Sequence, residues 1–391
     1  MTTGIDLFAG PGGLDLAAQA EDIRTLGIEL DPAACDTRRA AGLPTVEGDV
    51  TRHGPADFPE ATVLAGGPPC QGFTVAGNGE GRALLERLRH AARAMGRRER
   101  IDLTEFDRRS GLVLQPLRWA LEAERAGRPY RTVILEQVPE VLPMWQTYAD
   151  VLGRLGYHTA VGVVRSEEHG DPQTRLRAAL IASLDHPVAL PAAVRQAYRS
   201  GADRAAAGPG LSPWKSMGDT LPHRGEFTVV SNYGTGGDPK KRGRRHSSEP
   251  SATVTSKINR NRVVAPDGTE QDRLTPGEAG QLQGFPARFP WSGRDPWQQI
   301  GNAVPVGLGR ALVRAATTRA AMTPELELSD LGRNIRDLRY ERGFTQEQLA
   351  EATGISRLTI VRIETGRPAR TDAIARIARA LGTTTARLHA H

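Results

Sequence analysis

Two cysteines, Cys35 and Cys70, are all that the 391 residues contain. That scarcity excludes a secreted disulfide scaffold and argues against a zinc site built on cysteines. No apolar run approaches the length that spans a bilayer. The opening segment, Met-Thr-Thr-Gly-Ile-Asp-Leu-Phe, leads straight into a strand pattern and leaves no room for a signal peptide. A cytoplasmic protein with reduced thiols, no metal and no membrane partner is expected. Hydrophobic residues make up 39% of the chain, enough for a sizeable core, and the length fits two or three domains.

The formal net charge is +6. Such a balance favours a polyanionic partner, although arginine-rich composition also arises in GC-rich genomes. Where the charge sits is more telling. Lys240, Lys241, Arg242, Arg244 and Arg245 fall in one glycine-rich, loop-like segment, with Lys257, Arg260 and Arg262 soon after. A solvated loop is the plain alternative; contact with nucleic acid is the reading that fits the rest of the chain.

Strand and helix patterns alternate through the first half. Residues 4–8, 24–28, a short run ending at Asp49, 63–65, 132–135, 157–164 and 178–181 read as strands. Residues 111–126 and 144–155 read as helices between them. Alternation of this kind builds a mostly parallel sheet with helices on both faces. From about 185 to 273 the pattern dissolves into Gly, Pro, Ser and Arg with short β-like pieces, which reads as a small irregular domain. Residues 299–318 return to an apolar helix, 322–324 resemble a linker, and the chain from about 328 is helical in pattern. Residues 82–109 are highly charged, yet Leu84, Leu85, Leu88, Ala91, Ala92 and Met95 recur at helical spacing. That face is expected to pack on the core.

The strand ending at Ala65 runs into Gly66-Gly67-Pro68-Pro69-Cys70-Gln71-Gly72-Phe73. Glycines let the chain turn at a strand end, and Pro-Pro stiffens the residues after it. The result is a thiol on a rigid loop at the carboxyl edge of a sheet, where open α/β folds bind ligands. The first turn, Asp6-Leu7-Phe8-Ala9-Gly10-Pro11-Gly12-Gly13, lets a ligand approach the backbone at a helix N-terminus. Glu29 stands about twenty residues on, where an acid takes ribose hydroxyls. Asp49, ending the third strand, is placed to accept from an adenine amino group. The set describes an adenosine-containing cofactor, without the full dinucleotide spacing of NAD sites.

Taken together these residues resemble the DNA cytosine-5 methyltransferase family, from about Ile5 to Ala315. DLFAGPGG is similar to its cofactor loop and GPPCQGF to its nucleophile loop. LEQV at 135–138, PQTRLR at 172–177, LTPGEAGQLQGFP at 274–286 and QIGNAVP at 299–305 are similar to further family motifs. The resemblance implies a Rossmann-like α/β fold dependent on S-adenosylmethionine, with residues 1–184 and 274–322 forming the catalytic domain and 185–273 the target-recognition region. It implies a cofactor pocket lined by Phe8, Gly10, Gly12, Glu29, Leu30, Asp49, Leu112, Asn302 and Val304. It implies Cys70 as nucleophile on carbon 6 of a flipped cytosine, Glu136 holding the ring, and Arg175 and Arg177 fixing the base and the cysteine loop. Gln71 and Gln173, with the basic run 240–245, are expected at DNA. Two departures stand out. The family's Glu-Asn-Val is Glu136-Gln137-Val138 here, and its Pro-Arg-Glu is Pro276-Gly277-Glu278, which leaves open how the recognition region is anchored.

Residues 328–391 form a separate all-α unit. Thr345 caps a helix with Gln348 three residues on, Gly354 makes a turn, and Ser356 caps a second helix to about Glu364. The pattern TQEQLAEATGIS…IVRIETG resembles the phage-repressor-like helix-turn-helix family. Eleven arginines against six acids between 331 and 388 fit phosphate binding. Gln346, Ser356, Arg357, Thr359 and Arg362 are expected at the DNA, and such domains commonly dimerise. The reading is therefore a DNA cytosine-5 methyltransferase with double-stranded DNA as partner, of restriction-modification type with a cognate endonuclease, and with a C-terminal DNA reader. An RNA cytosine methyltransferase, or a transcriptional regulator with secondary methyl transfer, are the alternatives.

Overall fold

The structure, a computed structural model, describes residues 3–69, 79–99, 101–102, 105–107, 109–234, 242–318, 330–342, 344–364 and 371–389. Cys70, Gln71, Lys240 and Lys241 lie outside the described residues. The chain divides into two compact units, Met1–Arg319 and Ala320–His391.

The first unit begins β1 (Thr3–Leu7), α1 (Gly13–Gln19), β2 (Arg24–Glu29), α2 (Pro32–Ala40), β3 (Thr45–Glu47) and β4 (Val63–Gly66). It continues with α3 (Gly79–Gly96), α4 (Gln115–Arg125), β5 (Thr132–Gln137), α5 (Leu142–Arg154), β6 (His158–Arg165), β7 (Gln173–Thr174) and β8 (Leu176–Ser183). Strand order in the main sheet is β3-β2-β1-β4-β5-β8-β6. The first five run parallel and β8 runs antiparallel between β5 and β6. The chain winds outward from β1 through β2 to β3, then returns to place β4 on the other side of β1. That reversal opens a crevice at the carboxyl ends of β1 and β4, the usual ligand position in such sheets.

Side chains along a strand alternate between faces. Leu64, Val133, Leu135, Leu180 and Ala182 meet the apolar stripes of α3, α4 and α5, including Trp119, Trp145 and Tyr148. Val63, Ala65, Ile134, Ala179 and Ile181 meet Leu14 and Ala18 of α1 on the other face, with Leu308, Leu312 and Val313 further along the chain. Because both faces are covered, the central strands read as unbroken apolar runs. The charged stretch expected to pack does so: Leu88, Ala91, Ala92 and Met95 of α3 are buried, and Arg89 Nε donates to Thr147 Oγ1 of α5 at 3.0 Å.

The remainder of this unit holds α6 (Met217–Thr220), β9 (Thr228–Gly234), β10 (Arg242–His246), β11 (Ser251–Ala252), β12 (Arg262–Val264), β13 (Glu270–Gln271), α7 (Pro276–Leu282), α8 (Pro296–Asn302) and α9 (Val306–Thr317). A small sheet, β10-β9-β12-β13, lies within residues 185–273, the expected recognition region, and β11 pairs with β7. One core joins Met217, Phe227, Val254 and Val263 to Leu274, Leu282 and Ile300. The apolar core of the recognition region thus crosses residue 274 and includes α7 and α8. Residues 299–318, expected as one helix, are two. Asn302 ends α8 and Pro305 precedes α9; a proline disfavours the helical conformation for the residue before it.

The second unit contains α10 (Asp330–Glu341), α11 (Gln346–Thr353), α12 (Arg357–Glu364), α13 (Thr371–Ala380) and α14 (Thr385–His389). Ile335, Leu349, Ile360, Ile363, Ile374, Ile377, Leu381 and Leu388 form its own core.

Candidate functional site

A cavity of about 650 Å³ opens at the carboxyl ends of β1, β2, β4 and β5. The turn after β1 is built for close approach: Phe8, Gly10 and Gly12 all have positive φ. For Phe8 that conformation is uncommon; its neighbour Ala9 is held by an N–H bond to Ile28 O at 3.1 Å. Glu29, at the end of β2, fixes both sides of the opening. Its Oε2 accepts from Gly10 N, and its Oε1 accepts from Leu30 N and Asp31 N, each at 2.8 Å. Asp49 Oδ1 accepts from the backbone N and hydroxyl of Thr51, at 3.0 and 2.8 Å. Phe8, Leu30, Leu112 and Asn302 complete much of the wall, with Gln298 Nε2 donating to Asn302 Oδ1 at 2.9 Å.

Two residues expected in this lining stand behind it. Gly12 caps α1, and Val304 lies against that helix: a Cβ on Gly13 would meet the Val304 carbonyl oxygen at 2.2 Å. Gly13 lets α1 and the α8–α9 junction touch, while a Cβ on Gly12 would stand 2.2 Å from the Leu43 side chain. Asp31, Arg109, Gln137 and Gln298 line the cavity without having been expected there. Arg109 sat in a stretch whose charge masked it; Asp31 is marked by its N-cap position before Pro32.

Beneath the glycine turn lies a buried ion pair that no motif announced. Arg38 Nη1 donates to Asp15 Oδ2 at 2.5 Å, and both side chains are fully buried. The same guanidinium reaches Ala9 O and Pro44 O at 3.4 and 3.1 Å, so α2 holds the turn from below. Burial, and next the Asp15 charge, push the Asp6 carboxyl well above its ordinary range, against the pull of Arg38.

At the ends of β4 and β5 the segment leading to Cys70 is clamped. Gln137 Nε2 donates to Pro68 O at 2.5 Å, while Gln137 Oε1 accepts from Val138 N. The longer amide standing in the family's Asn position therefore holds the proline carbonyl. Glu136 is buried beside Arg177, whose Nε lies 3.0 Å from Glu136 Oε2. A Cβ on residue 67 would stand 2.8 Å from Glu136 Oε1, so only glycine leaves that carboxylate its place. Pro69 lines the cavity, and Cys70 is the next residue in the chain.

Arg175 also lines the cavity, but its guanidinium donates to Val254 O at 2.7 Å and Gly301 O at 2.9 Å. It ties the main sheet to Val254, in the expected recognition region, and to α8. Gln173 is a correction: it is fully buried rather than placed at DNA. Its Nε2 donates to Leu282 O at 2.9 Å and to Gln283 Oε1, and its Oε1 accepts from Val254 N at 3.0 Å. Both ends of that amide are engaged by protein.

In the recognition region Arg244 is exposed on β10, and Arg245 lies over the Tyr198 ring at 4.1 Å. Arg242 is half-buried at the start of the strand. The anchor that the Gly277 departure left open comes from Arg224, whose Nη2 donates to Glu278 Oε2 at 2.7 Å. In the second unit Thr345 and Gln348 form the expected capping box. Ser356, Arg357 and Arg362 are exposed and Thr359 is half-buried. Arg357 pairs with Glu347 at 3.1 Å. Gln346 turns inward, donating to Glu364 Oε2 at 2.8 Å beside the buried Arg339–Glu364 pair. No described helix is long and apolar enough to cross a membrane.

Several known proteins resemble the chain. The family described as C-5 cytosine-specific DNA methylase matches residues 2–87 and 209–317, and a helix-turn-helix domain family matches 330–390. The type II methyltransferase M1.HphI of Haemophilus parahaemolyticus is 29% identical over 348 residues, covering 80% of this chain and 86% of that one. M.NlaX of Neisseria lactamica, also a type II methyltransferase, is 28% identical over 349 residues, covering 82% and 96%. In fold, the S. pombe Dnmt2 methyltransferase matches with a TM-score of 0.52 at 14% identity, over 80% of this chain and 97% of that one. Spodoptera frugiperda DNMT2 matches with 0.53 at 14% identity, over 81% and 100%.

Proposed function

The chain belongs to the C-5 cytosine-specific DNA methylase family, and from that premise we propose that it methylates carbon 5 of a flipped-out cytosine in duplex DNA through a covalent bond to Cys70. The observation that carries this is the clamp at the end of β4. Gln137 fixes the Pro68 carbonyl two residues before the thiol, and Glu136 with Arg177 forms the adjoining wall of the same cavity.

S-adenosylmethionine, the family's methyl donor, fits the cavity: carboxylates at Glu29 and Asp49 suit ribose and adenine donors, and Phe8, Leu30 and Leu112 supply apolar contact. Bound there, it supplies an electrophilic methyl group. The target base leaves the stack because its ring atoms are otherwise out of reach. The Cys70 thiolate forms a bond to carbon 6, and the electron pair released moves toward carbon 5. Glu136 faces the ring edge at nitrogen 3 and the amino group, and Arg177 beside it aims that side chain. Carbon 5 takes the methyl; a base, water included, then removes its proton, and the bond to Cys70 breaks. Arg175 is a positioning residue that holds the recognition region against the catalytic sheet.

The separate C-terminal unit, with its caps at Thr345 and Ser356, supports a second role: binding an operator as a symmetric dimer, so that the enzyme also regulates its own gene. The type II names of its relatives support a cognate restriction endonuclease as partner.

Cys70→Ser is expected to abolish methyl transfer while cofactor binding persists, and wild type alone traps a covalent adduct on 5-fluorocytosine duplex. Near-normal turnover in that variant overturns the assignment. Labelled methyl incorporation into DNA rather than tRNA separates the reading from an RNA enzyme.

A further inference from the structure

Among the described residues of the second unit, one large apolar side chain is exposed. Leu358 on α12 is 68% exposed, the most exposed large hydrophobic among the described residues. Its helix buries the opposite side, with Ile360, Ile363 and Glu364 turned into the core. Arg362 stands one turn later, and residues four apart share a helix face. Two hydroxyls stand at the start of the helix: Ser356 Oγ and Thr359 Oγ1 lie 2.8 Å apart. An exposed leucine on a helix whose other exposed residues include Ser356, Arg357 and Arg362 is a poor surface for an apolar partner and a good one for the major groove. There a pyrimidine 5-methyl group projects among phosphates and base edges. Eleven arginines against six acids in residues 331–388 give the polyanion its complement.

We propose that α12 reads a 5-methyl group through Leu358, and that the group is the one this enzyme makes: the C-terminal unit binds 5-methylcytosine in its operator more tightly than cytosine. The inference rests on the proposed DNA reading by this unit. It adds that the reader is sensitive to the product of the catalytic unit. The chemistry is simple. A methyl on carbon 5 lies in the groove that a recognition helix enters, at the place where thymine carries its own. Covering it with a leucine removes apolar surface of both from water. Thymine offers the same group, so the two sources must be separated by experiment.

The full-length chain, without methyl donor, is carried through selection on random duplexes made once with cytosine and once with 5-methylcytosine. Affinities of the enriched duplexes are then measured for wild type, Leu358→Ala and Arg362→Ala. One enriched motif should depend on Arg362 and bind about fourfold more tightly for each 5-methylcytosine facing α12. Leu358→Ala should bring the two forms within about twofold of each other while leaving the thermal midpoint unchanged, since the side chain is exposed. Equal affinity for both forms at the Arg362-dependent motif overturns the proposal. So does a preference that survives Leu358→Ala. A third overturning result is loss of affinity on replacing thymine by uracil with no gain on methylating cytosine, which makes Leu358 a thymine reader. If no motif depends on Arg362, the underlying DNA reading falls as well, and that failure is distinct from a methylation-blind motif.

Discussion

Arg224 closes on both oxygens of Glu278 from a position 54 residues away in the chain. The arginine ends a turn in the recognition region, and the glutamate is the third residue of α7, reciprocally capped with Thr275. His223 Nε2 adds a contact at 2.9 Å. Although burial pushes the other way, these partners bring the Glu278 carboxyl down to about 2. The pair ties the turn at residues 222–224 to α7.

Arg224→Ala is therefore expected to cost about 3 kcal/mol, the order seen when one partner of a buried pair is removed. The sign with pH comes from a depressed carboxyl: its contribution is full above about 4.5 and is lost as pH falls toward 2. Urea unfolding of wild type and variant should differ at pH 7 and converge near pH 2. A gap that stays constant across that range excludes the anchor.

Glu136 and Arg177 make a second local pair, at 3.0 Å in the wall of the cavity. Arg177→Ala leaves a buried carboxylate without its cation. It is expected to lower kcat about 10²–10³-fold, as when one preorganised electrostatic group is removed. Cofactor affinity, which the proposed function assigns to Glu29 and Asp49, should stay within about twofold by calorimetry. Equal losses in both measurements mean that Arg177 only supports the fold.

Glu29 accepts three backbone N–H groups, which distinguishes bracing from simple ligand contact. Glu29→Ala is expected to weaken S-adenosylmethionine binding by about 1–3 kcal/mol. Glu29→Gln should be nearly as harmful, because its amide nitrogen would face a donor at Gly10 or at Leu30 and Asp31. Calorimetry showing Gln close to wild type removes the bracing role.

The sequence carried much of this. Strand-end motifs placed the glycine turn, residues 66–69 and Glu136 at one sheet edge, because motifs of this kind are read from local backbone needs. The caps at Thr345 and Ser356 were legible for the same reason. What stayed hidden depends on direction and distance. Gln173 and Arg175 alternate within one short motif, yet one is wholly occupied with Leu282, Gln283 and Val254 while the other lines the cavity. Arg38–Asp15 and Arg224–Glu278 pair across 23 and 54 residues, and no spacing marks such contacts. Gly12 and Val304 belong to motifs similar to the family's, yet Gly12 packs on Leu43 and Val304 on Gly13 of α1.

Asp171 sits at the start of α9, accepting from Gly307 N and Leu308 N at 2.9 Å each. Complete burial nonetheless raises its carboxyl to about 7. A raised carboxyl holds its proton more firmly in the fold than in the unfolded chain. Its contribution is thus full below about 4 and is lost as pH rises toward 7. Asp171→Asn does not ionise, so the stability gap between wild type and variant should shrink across that window. A gap that widens with pH contradicts this.

The two units should divide the reading of DNA. The recognition region shares its core with α7 and α8 of the catalytic unit and presents Arg244 on β10, so it should choose the methylated cytosine. The C-terminal unit has its own core around Ile335, Leu349 and Ile377, so it should fold alone and bind an operator. A chain ending after Thr323 is expected to methylate the same cytosines as the full protein, by bisulfite sequencing of DNA from expressing cells. Its overall affinity for DNA should be lower and should fall less steeply as salt rises from about 50 to 200 mM, because the phosphate contacts of the second unit are gone. The isolated unit should shift a fragment of DNA upstream of its own gene, as a dimer on paired half-sites about one helical turn apart. If the truncation instead changes which cytosines are methylated, the C-terminal unit takes part in target choice and the separate regulatory role fails.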